Sequence, residues 1–487
     1  IDDTCFLTGQ TEPGVPCNFC NPTESTSEWS ILSDGNSCGD GGVCYDSQCC
    51  PKAANCAGFE CGDDLCGGTC GTCGAGFFCI DQLCIDPTIC DDGNSVDWDG
   101  CTAGQVTESQ TNSHQWNKQK DPAVAVLTGG GFVIVWESEK QDSNDSYGVY
   151  GQVYDAAGQE SGVEFRANSP SSSDETDPDV AALANGGFVI VWSTDDNNSV
   201  RGRLFDATGD PTTGEFTLPS FTSNNQEHPA VTGLSAGGFA AVWDNDGVGD
   251  SQGIFMRLFD ADGTAAGDQS TVNVETNDTQ RDPDVTQLNS SDIVVVWTSK
   301  DQDGNAHGIF ARRYDSSGTP LTGDQQVNSY SGSEQYDGQV AALTGGGYVV
   351  TWHRVGATDN DGVYARRFDA DGVATQEQFR VNSTIPEKQW FPCVGALPED
   401  GFISAWQSEH QDGSKWGIYY RRFDGNDQPL AADLRANIFT ANEQQAAACA
   451  GFPDGSFIIA WESANQDGSD YGIFHQRYAK AGYRLYP

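Results

Sequence analysis

Acidic residues gathered around glycine are the groups in this chain best suited to chemistry. Four loops read QDSNDSYG, DQDGNAHG, HQDGSKWG and NQDGSDYG, starting at Gln141, Asp301, His410 and Asn465. Two shorter ones contain Asp244-Asn245-Asp246-Gly247 and Asp359-Asn360-Asp361-Gly362. Calcium is a hard cation that takes about six to eight oxygen ligands, and closely spaced Asp, Asn, Ser and carbonyl groups on a tight turn supply them. Asp142, Asp303, Asp412 and Asp467 are the expected first ligands, with Asp246 and Asp361 in the shorter loops. Ca2+ is thus the one cofactor the sequence suggests. No loop carries a complete DxDxDGxxxxxE pattern, and an Asp-Gly pair is equally what a plain hairpin turn uses.

Other chemistries find little support in the residue pattern. The six histidines, His114, His228, His307, His353, His410 and His475, fall singly, with no HExxH and no pair at ligand spacing. The SxDxGxxW box of sialidase propellers is missing. Paired carboxylates, the tools of glycosidases, are too abundant here to be diagnostic. The expectation is a protein without catalytic residues or enzymatic activity.

What positions the loops is a repeat. Each follows a compact apolar run of the type FVIVW, and these runs close at Trp136, Trp192, Trp243, Trp297, Trp352, Trp406 and Trp461, at intervals of 51 to 56 residues. One supersecondary unit has therefore been copied seven times. In the sixth copy Pro392–Leu397 alternates small and apolar residues, Phe402–Trp406 is the apolar run, Gly417–Phe423 is a third strand, and a last stretch lies near Leu434–Asn437. Turn residues separate them, so the unit reads as a four-stranded antiparallel meander. Such a sheet cannot bury both faces alone, and seven stacked radially can. The expected fold is all-β: a seven-bladed β-propeller of four-stranded blades over 102–487, preceded by a small disulfide-rich module of three cysteine-rich repeats at 1–101.

Ring closure leaves its own traces. Asn112 lies nine residues before Asp121, as Asn168 does before Asp177 and Asn382 before Phe391, which assigns 105–113 to the fourth strand of the last blade. The tail Tyr483–Tyr486 is the rival for that place. Cys393 and Cys449 lie nine and eight residues before the apolar runs of their blades. Opposite parity puts them on opposite strand faces, so they can meet between blades 6 and 7 as a disulfide. A recurrent cation at Arg203, Arg257, Arg312, Arg366 and Arg421 suggests ion pairs with carboxylates of a neighbouring strand or blade.

The other sixteen of the 18 cysteines fall within residues 5–101, an even count at a density typical of a disulfide scaffold in an oxidising compartment. Two CxxC pairs, Cys17/Cys20 and Cys70/Cys73, lie about fifty residues apart with no histidine nearby, a poor zinc pattern. A formal charge of −47, from 71 acidic and 24 basic residues, speaks against nucleic acid and anionic lipid. No apolar stretch is long enough for membrane insertion, no signal peptide is visible, and a mature or truncated start is expected.

The segments CNFCNP, CGDDLCGGTCGTC and CDDGNSVDWDGC resemble cysteine-rich repeats of secreted and surface proteins of myxobacteria and related bacteria, with Trp98 where glycine is usual. The unit WxSxxQDGSxYGIxxRRFDxxG is similar to bacterial extracellular propeller repeats and, distantly, to the integrin FG-GAP blade, whose DxDxDG core is incomplete here. These resemblances imply an extracellular or outer-surface bacterial address and transfer no catalytic residue. A partner would bind on the face carrying the acidic loops and blade linkers. Tyr147, Trp390, Trp416 and Tyr471, with Trp116 near the closure, are the expected contacts. Two functions follow as expectations: an interaction protein engaging a protein partner of a surface assembly, or a multivalent carbohydrate-binding lectin. A glycan-active enzyme stands third, on fold-level analogy alone.

Overall fold

The computed structural model describes residues 108–487 apart from 142–145, 222–224, 246–252, 305, 357–360, 386 and 486–487, together with short backbone segments before residue 86. The chain divides into two compact units, Ile1–Val106 and Thr107–Pro487. In the first, Thr11–Glu12, Val15–Cys20 and Trp29–Ile31 form an antiparallel sheet. Val43–Tyr45 pairs with Gln48–Cys50, and Phe78–Ile80 with Leu83–Ile85. Cys17 and Cys20 fall on the strand Val15–Cys20, whereas the cysteine pairing of this unit and Cys70/Cys73 lie outside the described residues.

The second unit is a seven-bladed propeller of antiparallel four-stranded blades. Blade 1 runs Gln119–Val126, Phe132–Glu139, Tyr147–Tyr154 and Glu160–Arg166. Blade 6 repeats it as Gln389–Ala396, Phe402–Glu409, Trp416–Phe423 and Leu434–Arg435. The first strand thus starts three residues before the alternating segment that marked it in the sequence. Neighbouring first strands lie side by side around a central channel.

The cores lie between blades, and the repeat spacing is what aligns them. All seven tryptophans are fully buried. Beside them the ring opening the second strand stacks on the ring ending the third, as in Phe188–Phe205 at 5.2 Å, Phe402–Phe423 at 4.7 Å and Phe457–Tyr478 at 4.7 Å. That stacking links the F of FVIVW to the F of RRFD. The glycine before the second strand is needed for close approach: a Cβ on Gly187 or Gly347 would lie 2.2 or 2.3 Å from the carbonyl oxygen of Phe205 or Phe368.

Closure uses both ends of the propeller chain. Ser109–Gln110 pairs with Phe474 and His475, and Arg484–Leu485 pairs with Arg477 and Tyr478, so the outer strand of blade 7 is split between them. Asn112 Oδ1 accepts from Ile473 N (2.7 Å), as Asn168 does from Val149 N (3.0 Å) and Asn382 from Val363 N (2.8 Å). Its Nδ2 donates to Gln119 Oε1 of blade 1 (3.2 Å). Cys393 and Cys449 form the disulfide between blades 6 and 7, with Cα atoms 5.8 Å apart.

Two of the recurrent arginines reach the expected carboxylates, Arg366 to Glu377 (3.9 Å) and Arg421 to Asp433 (4.0 Å), but the partner shared by all five is a backbone carbonyl. Arg203, Arg257, Arg312, Arg366 and Arg421 each donate through Nη1 to the backbone carbonyl of Ala167, Leu218, Val272, Val327 and Val381 in the preceding blade, at 2.5–3.1 Å. Each of these carbonyls belongs to the residue just past the end of a fourth strand, beyond the ladder, and the guanidinium fork satisfies it. Blade 7 has Gln476 at this position, and Arg484 of the tail reaches the carbonyl of Ala436 instead (3.0 Å).

Candidate functional site at the mouth of the channel

The first strand of every blade contains an irregularity that the sequence reading missed. Its ladder with the second strand slips once, between Thr176 and Asp179 in blade 2, Arg281 and Asp284 in blade 4, and Trp390 and Cys393 in blade 6. Two residues there oppose one, a β-bulge. The bulged residues are Asp121, Asp177, His228, Asp282, Asp337, Phe391 and Ala446, all held at φ between 49° and 54°. Asp adopts this left-handed conformation at modest cost, whereas His, Phe and Ala do so only where the surrounding sheet imposes it. Five of the seven precede proline, which a central strand tolerates at a bulge because it lacks an N–H. That Asp-Pro or His-Pro dipeptide was the signal in the sequence.

The bulges form a ring at the channel mouth, on the face of the acidic loops. Their amides turn toward the residue that follows each core tryptophan in the preceding blade. Asp177 N donates to Glu137 Oε1 (2.7 Å), Asp282 N to Asp244 Oδ2 (3.2 Å), Ala446 N to Gln407 Oε1 (3.2 Å) and Asp121 N to Glu462 Oε2 (3.2 Å). A cavity of about 390 Å3 opens here, lined by Asp177, His228, Asp282, Asp337 and Phe391 above the inner strands.

One side of the mouth is ionic. Lys120 Nζ lies 2.7 Å from Glu137 Oε2 and 2.8 Å from Asp121 Oδ2. Burial works to lower the Lys120 pKa, but the two carboxylates outweigh it and raise it above the usual lysine range. Burial and the Asp121 charge push Glu462 up to about 7, and the same causes raise Glu137. Further round, His228 Nδ1 lies 2.9 Å from Asp244 Oδ2 and 3.8 Å from Asp282 Oδ1. The hydrogen bond to Asp244 raises His228 to about 10 against burial. Burial, with Asp337 adding to it, raises Asp282 to about 6.

The other side is aromatic. Ring centroids run His307–Tyr336 (4.7 Å), Tyr336–His353 (5.6 Å), His353–Phe391 (5.6 Å), His353–Trp390 (5.9 Å) and Trp390–Trp416 (5.6 Å). Lys388 Nζ stands 4.7 Å over Trp390, and Phe391 is 47% exposed. The structure therefore brings Trp390 and Trp416 together. Tyr147 and Tyr471 stay apart from them: Tyr147 lies under Lys120 (5.1 Å), and the Tyr471 hydroxyl donates to Glu443 Oε2 (2.8 Å).

The loop aspartates have local work. Asp412 Oδ1 accepts from Ser414 N and Asp467 Oδ1 from Ser469 N, both at 3.0 Å, while Asp303 Oδ2 accepts from Asn328 Nδ2 (3.0 Å) and Asp361 Oδ1 from Gly356 N (2.7 Å). Their carboxylates fold over Gly308, Gly417 and Gly472 in three of these loops, where a Cβ would lie within 2.8 Å of an oxygen. This accounts for the QDGSxYG spacing. Asp142 and Asp246 lie outside the described residues. Among the described residues, the group of three or more potential ligands within 4.8 Å of one another is Glu227, His228 and Asp244. His228 is still the one histidine of its blade, and its companions are carboxylates. Glu227 precedes it on the first strand and Asp244 lies sixteen residues after it on the second, so the ladder is what brings the three together.

No family model matches the chain, and no curated protein does. Similar solved structures include a protein of unknown function from Dyadobacter fermentans, at 12% identity and TM-score 0.46, covering 77% of this chain and 99% of that one. A Penicillium chrysogenum α-L-arabinanase complexed with arabinobiose gives 10% identity and TM-score 0.43, covering 76% and 98%. The polysaccharide lyase Uly1 gives 9% and 0.48, covering 78% and 94%. The expectation of no enzymatic activity is withdrawn on this finding, because the chains this one resembles include an arabinanase and a lyase. Their substrates and catalytic residues remain properties of those proteins.

Proposed function

We propose that the propeller takes a glycan at its channel mouth and that carboxyl groups there act on it. The observation carrying this reading is that Phe391, packed on His353 and Trp390 of the aromatic strip, lines one cavity together with Asp177, Asp282 and Asp337. A sugar presents a C–H face that stacks on aromatic rings and hydroxyls that donate to carboxylates. Asp282, raised to about 6 and part-exposed, is suited to give a proton near neutral pH, with the carboxyl groups of Asp177 and Asp337 on the same rim as partners. A proton-donating carboxyl beside a second carboxyl group is the pattern used for glycosidic bond cleavage. The disulfide inside the ring supports an extracellular setting. Capture of a protein partner in a surface assembly is the second reading, favoured by Trp116, which is 73% exposed.

A glycan array followed by product release from the retained glycans tests this. Trp390→Ala is expected to weaken binding about 3- to 10-fold, the worth of one aromatic contact. Asp282→Asn should leave binding in place and abolish release. Absence of any retained glycan, or equal binding by Trp390→Ala, overturns the reading.

A further inference from the structure

Blade 3 differs from the other blades at the mouth in a way the glycan reading does not use. Its bulge carries His228 where four blades carry Asp, and the residue after its core tryptophan is Asp244. Imidazole and carboxylate therefore face each other within one blade, with Nδ1 2.9 Å from Asp244 Oδ2. Glu227, the residue before the bulge, stands opposite Asp244 in the ladder. The ligand atoms of all three lie within 4.8 Å of one another. A tetrahedral ion with ligands at about 2.0–2.2 Å holds them roughly 3.3–3.6 Å apart, a spacing these side chains reach by small rotations.

Two further features suit a metal. Asp244 Oδ2 also accepts from Asp282 N (3.2 Å), so the carboxylate is oriented by a fixed backbone donor, as ligating carboxylates usually are. His228 is 45% exposed and lines the cavity, which leaves an approach from solvent. Blade 5 repeats the pair with roles exchanged. There Asp337 is on the bulge and His353 follows the tryptophan, with His353 Nδ1 3.0 Å from Asp337 Oδ2. His353 is only 5% exposed, and neither of those two atoms makes a hydrogen bond. Nitrogen and oxygen donors thus flank Asp282 from both sides.

From this geometry we propose that Glu227, His228 and Asp244 bind one divalent transition-metal ion at the channel mouth. One imidazole with carboxylates suits Zn2+ or Mn2+, whereas Ca2+ prefers oxygen alone. The net charge of −47 favours accumulation of cations at this surface. The proposal is independent of the glycan reading.

The test uses the full chain, stripped with chelator, dialysed and titrated with Zn2+ by calorimetry. The cysteine-rich module is a second potential zinc source, so the comparison is between variants. Wild type is expected to bind one equivalent more than His228→Phe, which installs the residue blade 6 carries at this position. Asp244→Asn should weaken that equivalent about 10-fold or more. In Co2+-loaded protein, the visible bands of a site without sulfur should disappear in His228→Phe and persist in Trp390→Ala. Equal stoichiometry and affinity in wild type, His228→Phe and Asp244→Asn overturn the proposal, as does displacement of the ion by an equal concentration of Ca2+. Loss of glycan binding in Trp390→Ala with the metal retained would separate this site from the glycan reading.

Discussion

The tryptophan layer and the ring of bulges at the channel mouth are built from adjacent residues, yet they obey opposite rules. Every blade carries the same fully buried Trp. The residue after it is Glu137, Ser193, Asp244, Thr298, His353, Gln407 or Glu462, and the bulge facing it holds Asp, His, Phe or Ala. The backbone is nonetheless the same in all seven blades, down to a bulge φ of 49–54°. Packing therefore dictates where these side chains point and leaves open what they are. Chemistry in a repeat protein is to be sought at positions where geometry is copied and composition is not.

The largest test of that contrast is a paired substitution. Trp352→Ala removes a fully buried ring and is expected to cost about 3–5 kcal/mol in urea unfolding. Asp337→Asn keeps a residue tolerant of positive φ and should change stability by less than about 1 kcal/mol. Comparable losses in both would erase the distinction between the layers. A smaller effect is expected at the closure. Asn112→Ala removes the acceptor of the Ile473 amide and the donor to Gln119 Oε1, which costs about 1–3 kcal/mol and should appear as a lower melting temperature.

The smallest effect is the dependence on pH. Burial pushes Asp179 up to about 6 and, with Asp179 adding to it, Asp284 up to about 7. Each folded-state pKa lies above its unfolded value, so the folded protein binds protons more tightly. The resulting stabilisation is complete below the unfolded pKa of about 4 and is lost as pH rises through 6–7. The melting temperature should be higher at pH 5 than at pH 8, by the equivalent of about 1–2 kcal/mol per group after solvent screening. Asp284→Asn should flatten the profile, and a profile rising toward pH 8 would contradict the assignment.

Much of the frame was legible in the sequence because it is periodic. The tryptophan interval gave the blade count, strand parity paired Cys393 with Cys449, and the offset of Asn112 located the outer strand at the closure. The arginine partners were not legible. The sequence shows that a cation recurs, but the carbonyls it binds lie just past the ends of the fourth strands of the preceding blades, a place that only the stacking of blades defines. The site at the mouth was hidden for a different reason. A bulge shifts register by one residue and turns a side chain that strand alternation assigns elsewhere, so Glu227, His228 and Asp244 converge only once the ladder is known. Tyr336 and His353 join the aromatic strip for the same reason.

The split outer strand of blade 7 also sets an order of events during synthesis. Asn112 must wait for Ile473, 361 residues later, before its side chain finds the amide it caps. At a ribosomal rate of about 5–20 residues per second, that interval is on the order of tens of seconds. Throughout it blade 1 has no neighbour on one flank, and its apolar face and unpaired inner strand are open to any passing chain. For this protein the hazardous species is a nascent, open ring, and the risk ends when the last blade arrives.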